Sequence, residues 1–145
     1  MKLTNYLVIF TFIFTLIGCS RQFKIAKVVP GKTSTLEAIR HLDEPDMFNK
    51  SSFNPSEEVL IWKDVVIQTN DELVTSVHRK PASHESSLQF WRQHYRDQTQ
   101  VFSKVDSRHV KSDHIWQLDF PRKGVNVIYD ETQDKVIKVV HYYVE

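Results

Sequence analysis

The sequence predicts an α+β fold in which two helices pack on an antiparallel sheet. Two amphipathic helical segments are each followed by runs of β-branched and aromatic residues, which favour strands. Turn signals at Asn70-Asp71 and at Pro121–Gly124 join such runs into hairpins. The chain has 145 residues, of which 41% are hydrophobic and 26% charged. This is the composition of about one globular domain, and it is too apolar for intrinsic disorder.

The chain begins with an apolar leader. Lys2 precedes a nearly unbroken apolar run of 13 residues from Tyr6 to Gly18. At 1.5 Å per residue this run would form about 20 Å of helix, which is too short for the roughly 30 Å hydrocarbon core of a membrane. Segment 1–18 is therefore predicted to be a cleaved signal peptide rather than a permanent transmembrane helix.

The leader ends in Leu16-Ile17-Gly18-Cys19, which resembles the lipobox of bacterial lipoproteins. The resemblance implies that the Cys19 thiol receives a diacylglyceryl group, that cleavage occurs after the small Gly18, and that the new amine is acylated. Several acyl chains, at about 0.8 kcal/mol per buried CH₂, anchor a protein stably. Because Ser20 rather than Asp follows the cysteine, the expected location is the periplasmic face of the outer membrane. An accidental cysteine near a conventional cleavage site is the alternative.

Residues 19–29 are predicted to form a lipidated tether, and residues 30–145 a single α+β domain. The whole chain has a formal net charge of +1. Lys2 is the only charged residue of the leader, so its loss leaves 18 basic and 18 acidic residues. This balance argues against a nucleic-acid binder. The three glycines are too few for a phosphate-binding loop, and the lone Cys19 excludes an intrachain disulfide or a CxxC site.

Before the predicted domain, Lys24–Val29 is predicted to be a strand or an extended tether that ends at Pro30-Gly31. A helix is predicted over Thr33–Leu42, with Thr33 or Thr35 as its N-cap and Pro45 as its stop. Residues 46–56 are predicted to be a polar loop. Three antiparallel strands follow, at Val59–Trp62, Val65–Ile67 and Leu73–Val77.

The second half follows the same order. Ser83 is predicted to cap a second helix, whose apolar positions are Leu88, Trp91 and Tyr95. The alternation of Val101, Ser103 and Val105 allows a strand before the main sheet segments. These segments are predicted at His114–Phe120, Val125–Tyr129 and Val136–Val144.

The two halves repeat each other, since Ile61-Trp62 is echoed by Ile115-Trp116 and each final strand ends in histidine. We therefore predict a tandem duplication of a helix plus three-strand unit, with subunits at about 30–80 and 83–145. One such unit alone has too little core for stability, whereas two units side by side share one sheet. Chance echoes within an ordinary α+β chain are the alternative.

Gly31-Lys32-Thr33, followed by the helix stripe and Pro45, resembles the helix motif of the SmpA/OmlA-type small outer-membrane lipoproteins. Asp43 stands where that family has glycine. The resemblance covers roughly Val28 to Val77. The wider superfamily resembles the β-lactamase-inhibitor protein, which is itself a tandem helix-plus-sheet duplication. The resemblance implies the α+β fold and a role with the β-barrel assembly machinery.

The sequence carries no catalytic motif. Its seven histidines lack the spacing of a zinc-binding helix pair or a zinc finger, and no GxSxG nucleophile elbow occurs. No motif pairs two carboxylates as acid and base. We therefore expect no enzyme activity, no metal site and no cofactor.

Four residues are candidate contacts with a partner. Phe48 and Phe53 stand in a polar segment where a core role is harder to explain, and exposed aromatic residues are typical binding hot spots. Arg122 and Lys123 lie at a hairpin tip, which is usually a solvated turn but can contact headgroups or a partner. The predicted function is a membrane-anchored, non-catalytic module for protein binding or envelope assembly, acting through a sheet edge or hairpin tips.

Two alternatives remain open from the sequence. One is a periplasmic inhibitor of a hydrolase, which would insert hairpin loops into its target. The other is a binder of a small ligand or of cell wall, which predicts a concave cavity behind the sheet.

Overall fold

The computed structural model describes residues 22–105 and 113–145. In this part of the chain eight strands form one antiparallel sheet in the order β1-β2-β3-β4-β8-β7-β6-β5. The helices are α1 (Thr35–Leu42) and α2 (Leu88–His94), with short 3₁₀ helices at Ser83–Glu85 and Pro121–Lys123. The strands are β1 (Met47–Lys50), β2 (Glu57–Trp62), β3 (Val65–Asn70), β4 (Leu73–Arg79), β5 (Val101–Lys104), β6 (Ile115–Phe120), β7 (Val125–Asp130) and β8 (Lys135–Tyr142).

The predicted fold, two helices on a sheet built from helix plus three-strand units, is wrong. The structure is dominated by a single eight-stranded sheet, and α1 and α2 have only 8 and 7 residues. Each helix is followed by four strands rather than three. The additional strands, β1 and β5, lie at the two edges of the sheet. All four residues of β1 are exposed, so no alternation of polarity distinguished this strand from the polar loop predicted over residues 46–56.

The two halves of the sheet meet at its centre, where β4 pairs with β8. Four residue pairs form this seam, from Ser76 opposite Tyr142 to Arg79 opposite Val139. The hairpins on either side are longer, with six pairs in both β3–β4 and β7–β8. The seam is thus the shortest pairing among the inner strands.

Both helices lie on the same face of the sheet, so one face is covered. The buried residues form two clusters, one under each helix. Trp62 and Phe120 are buried, whereas Trp116 and Tyr129 are only partly buried, and Tyr129 packs against the second cluster. The first cluster includes Ala38, Leu42, Leu60, Trp62, Val65, Ile67, Val74 and Val77, and the second includes Trp91, Leu118, Phe120, Val125, Val127, Val136 and Val139.

Helix α1 begins with a capping box. Ser34, rather than either neighbouring threonine, is the N-cap, and its Oγ accepts a hydrogen bond from the Glu37 amide at 3.2 Å. The Glu37 carboxylate accepts one from the Ser34 amide at 2.9 Å. The Ser34 hydroxyl also donates to this carboxylate at 3.0 Å, and the two hydrogen bonds that the carboxylate accepts, led by the one from the amide, lower the pKa of Glu37. Thr33 instead accepts a hydrogen bond from the Val29 amide through its buried hydroxyl, at 2.8 Å.

The second helix begins later than predicted. Ser83 opens a 3₁₀ helix, and Ser87 caps α2 by accepting a hydrogen bond from the Phe90 amide at 3.1 Å. Trp91 is the buried residue of α2, and its indole Nε1 donates to the Glu85 carbonyl oxygen at 2.8 Å.

The residue after α1 has a backbone conformation that glycine adopts far more readily than other residues. Asp43 has φ 69° and ψ −176°, a region that is costly for any residue with a Cβ. The conformation is held by Trp62, whose Nε1 donates to the Asp43 carbonyl oxygen at 3.1 Å. Asp43 is also the residue that stands where the resembling lipoproteins have glycine.

The segment that precedes α1 packs on the covered face. Residues 22–25 are helical, not a strand or an extended tether. Ile25 and Val28 are buried in the first cluster. At Gly31 (φ +76°) a Cβ would lie 1.9 Å from the Tyr143 ring, so the close approach of this segment to the end of the chain needs glycine. No helix within the described residues is both long and apolar enough to cross a membrane.

Candidate functional site

The predicted partner contacts are exposed, and they are separated from one another. Phe53 lies in the β1–β2 loop with 98% of its surface exposed, and Phe48 lies on β1 with 47% exposed. Arg122 and Lys123 are exposed in the 3₁₀ turn between β6 and β7. Cys19 and the predicted leader lie outside the described residues.

The strand order sets the distance between these candidates. The β1–β2 loop and the β6–β7 turn lie at the same end of the sheet, because Glu57, Asn70 and Val125 all pair near that end. They are five strand spacings apart, roughly 24 Å at about 4.8 Å per strand. Phe48 pairs with buried Leu60 and therefore points to the covered face. The structure does not bring the four residues into one cluster.

The other face of the sheet is not covered by any helix of the described chain. A continuous row of side chains crosses this uncovered face, one from each of the eight strands. Each member alternates with a residue that points to the helices. In sheet order the row is Met47, Ile61, Val66, His78, Val140, Asn126, Asp119 and Val101.

The row is apolar from Met47 on β1 to Val140 on β8, except at His78. Met47 is 56% exposed, and Ile61, Val66 and Val140 are half-buried. Val59 extends this apolar surface toward the β1–β2 loop, in register with Asn49. In most antiparallel sheets the face opposite the core is polar, so an apolar surface on this face calls for an explanation.

Across the second half of the sheet the uncovered face carries a hydrogen-bonded polar network. The Tyr142 hydroxyl donates to Asp119 Oδ1 at 2.8 Å, and Asn126 Nδ2 donates to Gln117 Oε1 at 3.2 Å. Gln117 in turn donates to Ser103 Oγ at 3.1 Å. Burial and the hydrogen bond to Asp119 raise the pKa of Tyr142 to about 12, so the hydroxyl stays protonated. The buried Oδ1 of Asn126 accepts no hydrogen bond within the described chain.

His78 interrupts the apolar part of the row, between Val66 and Val140. Its Nε2 is 3.0 Å from Ser76 Oγ, and that hydroxyl is 2.8 Å from Gln68 Oε1. Burial, with a smaller contribution from the charge of Lys138, lowers the pKa of His78. The imidazole is therefore neutral at neutral pH and adds no charge to the apolar surface.

The two sheet edges are poor templates for an added strand. β1 and β5 have four residues each, and each ends in a lysine. Lys50 is 3.1 Å from Glu58, and Lys104 lies over the Trp116 ring at 5.5 Å. Short edge strands with lysines are a common protection against edge-to-edge pairing. We therefore assign the candidate site to the uncovered face rather than to an edge.

The apolar character of the uncovered face has a signal in the sequence. Val59-Leu60-Ile61-Trp62 and Val65-Val66-Ile67 are apolar at consecutive positions, so both faces of β2 and β3 are apolar. Only the structure shows that one of the two faces has no covering layer among residues 22–105 and 113–145.

The site offers no constellation for metal chemistry: no group of three or more His, Cys, Asp or Glu residues within residues 22–105 and 113–145 is placed to hold a metal ion. Comparison of the chain with protein-family models, with curated proteins and with solved structures finds no match. The resemblance to small outer-membrane lipoproteins therefore stays a prediction.

Proposed function

We propose that this protein is a lipid-anchored, non-catalytic module of the cell envelope that binds a protein partner through the uncovered face. The observation that carries the proposal is the cross-strand row from Met47 to Val101, which is apolar as far as Val140 except at His78 and has no covering helix among the described residues. An exposed apolar surface that borders polar residues is typical of protein interfaces.

The dimensions of the face favour a protein over a small molecule. Eight strands span seven spacings, roughly 34 Å, and strands of six residues are about 20 Å long. The product is on the order of 700 Å², close to the roughly 800 Å² that each partner contributes to a standard protein interface. A surface this broad has no enclosing walls for a small ligand.

The proposed anchor keeps the domain close to a membrane. Cys19 precedes the first described residue, Gln22, by three positions, a reach of at most about 11 Å. A lipid on Cys19 would therefore hold the domain beside the bilayer, on the periplasmic face of the outer membrane. Partners that share this compartment are the ones the surface can meet.

A hydrolase inhibitor is the second candidate, and the exposure of Phe53 is the observation that favours it. An aromatic ring that is 98% exposed at a loop tip is suited to insertion into a partner's cleft. In this case binding energy would come from the β1–β2 loop rather than from the uncovered face.

Site-specific photo-crosslinking in intact cells distinguishes the two candidates. A photoreactive amino acid replaces Ile61 or Val140 on the uncovered face, Phe53 at the loop tip, or Gln89, an exposed residue of α2, as the matched control. We expect Ile61 and Val140 to crosslink the same envelope protein and Gln89 to crosslink none. Crosslinks from Phe53 alone would instead support the inhibitor.

A second test introduces a positive charge on the uncovered face. Ile61→Lys places an ammonium in the middle of the apolar row, and Gln89→Lys places one on the exposed helix surface. Ile61→Lys should abolish the crosslink from Val140, while Gln89→Lys should leave it unchanged. Persistence of the crosslink in the folded Ile61→Lys variant would contradict binding through this face.

A further inference from the structure

Two polar residues interrupt the covered face at its centre. The two cross-strand rows that face the helices are apolar except for Arg79 on β4 and His141 on β8. In sheet order the rows are Phe48, Leu60, Ile67, Val77, His141, Val125 and Phe120, and Trp62, Val65, Arg79, Val139, Val127, Leu118 and Phe102. Polar groups placed against the pattern of a core are often functional.

Both residues line a cavity at the seam. The cavity has a volume of about 380 Å³ and lies between the N-terminal segment, the seam strands and the 3₁₀ helix. Its volume lies within the range of small-molecule sites, roughly 300–1,000 Å³. Most of its wall is apolar, and exposed Gln22 and Ala26 are also part of it. The apolar lining residues are Ile25, Ala26, Val28, Val29, Pro30, Val77 and Ala82.

The polar side of the cavity is electrically balanced. The Arg79 guanidinium contacts the Glu85 carboxylate in a bidentate pair at 2.5 and 2.8 Å, and both side chains are largely buried. Glu85 also accepts a hydrogen bond from the Ala82 amide at 2.7 Å. Burial would raise the pKa of Glu85, but the hydrogen bonds from Arg79 and Ala82 lower it. The pair is therefore ionised and has no net charge.

His141 supplies an unused hydrogen-bonding group beside this pair. Its imidazole makes no side-chain hydrogen bond to any residue that the structure describes. Burial, assisted by the positive charge of Arg79, lowers the pKa of His141 to about 4. The ring is therefore neutral at neutral pH and offers one donor and one acceptor.

We propose that the seam cavity binds the hydrocarbon chain of a single-chain amphiphile whose uncharged head group hydrogen-bonds to His141. The apolar wall suits a hydrocarbon chain, and 380 Å³ holds about twelve groups of the size of a water molecule, at roughly 30 Å³ each. A carboxylate head is disfavoured because Arg79 is already paired and Glu85 would repel it.

The seam cavity is independent of the uncovered face. The proposal rests on the proposed lipid anchor only for the source of the ligand, which is a bilayer next to Gln22. Photo-labelling of the full-length chain in membranes tests the proposal. The probes are a long-chain alcohol and the corresponding fatty acid, each with a photoreactive diazirine in its hydrocarbon chain, and the labelled peptides are identified by mass spectrometry.

We expect the alcohol to label peptides that contain the cavity lining, and the fatty acid to label them less. Ala82→Phe, which fills the cavity, should reduce this labelling by about tenfold, the factor that corresponds to 1.4 kcal/mol of binding. Ala26→Trp narrows the cavity from an exposed position that does not threaten folding, and it should act in the same direction.

His141→Leu tests the hydrogen bond to the head group, and His78→Leu is its matched control. The two variants remove imidazoles from opposite faces of the two seam strands. Only His141→Leu should weaken labelling by the alcohol. Labelling that is unchanged in both Ala82→Phe and Ala26→Trp, or that spreads over the sheet surface, would overturn the proposal. Labelling of the cavity by the fatty acid in preference to the alcohol would overturn the assignment of an uncharged head group. None of these outcomes depends on whether Ile61 and Val140 crosslink a protein.

Discussion

Replacing His141 by glutamine should make the protein more resistant to mild acid. The pKa of His141 is about 4 in the folded chain and has its ordinary value of 6.5 when the chain unfolds. Between these values the unfolded state binds more protons, so the free energy of unfolding falls as the pH falls. From about pH 7.5 to about pH 5 this single group removes about 2 kcal/mol of stability, and His141→Gln removes the group without adding a charge.

The assay is equilibrium unfolding in urea at both pH values for the native chain and the variant. The carboxylate of Glu85, whose pKa is lowered, stays ionised over this range and does not contribute to the difference. His78 titrates equally in both proteins. His114→Gln removes an exposed imidazole outside the cavity and serves as the control for the loss of a histidine. If the native chain and His141→Gln lose the same stability between the two pH values, the burial argument for this histidine is refuted.

Three further predictions concern the backbone around α1, each measured by urea unfolding at neutral pH. Asp43→Gly should stabilise the protein by about 1 kcal/mol, because relief of a positive φ of 69° outweighs an exposed ion pair with Lys24; a loss of stability would contradict this. Ser34→Ala should cost about 1 kcal/mol through loss of the capping box, and an unchanged midpoint would show that the box is not formed. Gly31→Ala should cost about 2 kcal/mol, since a Cβ there meets the Tyr143 ring and a φ of +76°; the additional change Tyr143→Ala should recover only part of that loss, and full recovery would exclude backbone strain.

The sequence predicted the inner parts of the fold better than its edges. Four inner strands pack on the core and are rich in β-branched and aromatic residues: β2, β3, β6 and β7. Their positions were predicted within a few residues. β1 is exposed along its whole length, so its pairing with β2 depends on backbone hydrogen bonds that composition does not encode. The error in the number of strands per unit follows directly from this.

The candidate sites were harder to predict than the strands. Phe53 was correctly expected to be exposed, but an exposed side chain does not reveal which face or end of the sheet it shares with other residues. Arg79 and His141 lie more than sixty positions apart, and only the pairing of β4 with β8 places them on neighbouring strands. The alternation of side chains along a strand shows which residues share a face, but it does not show which other strand pairs with that strand.

The short seam between β4 and β8 has a consequence for the order of folding. Each half of the sheet is built from hairpins whose strands are close in the chain, so these contacts form at a small entropic cost. The seam pairs Val77 with His141 and must close most of the domain into a loop for only four residue pairs. Contacts of such long sequence separation are expected late, after the transition state, so destabilising substitutions at the seam should accelerate unfolding and leave the refolding rate almost unchanged. The pairing of β4 with β8, which shapes the cavity, would then also determine the rate at which the folded protein unfolds.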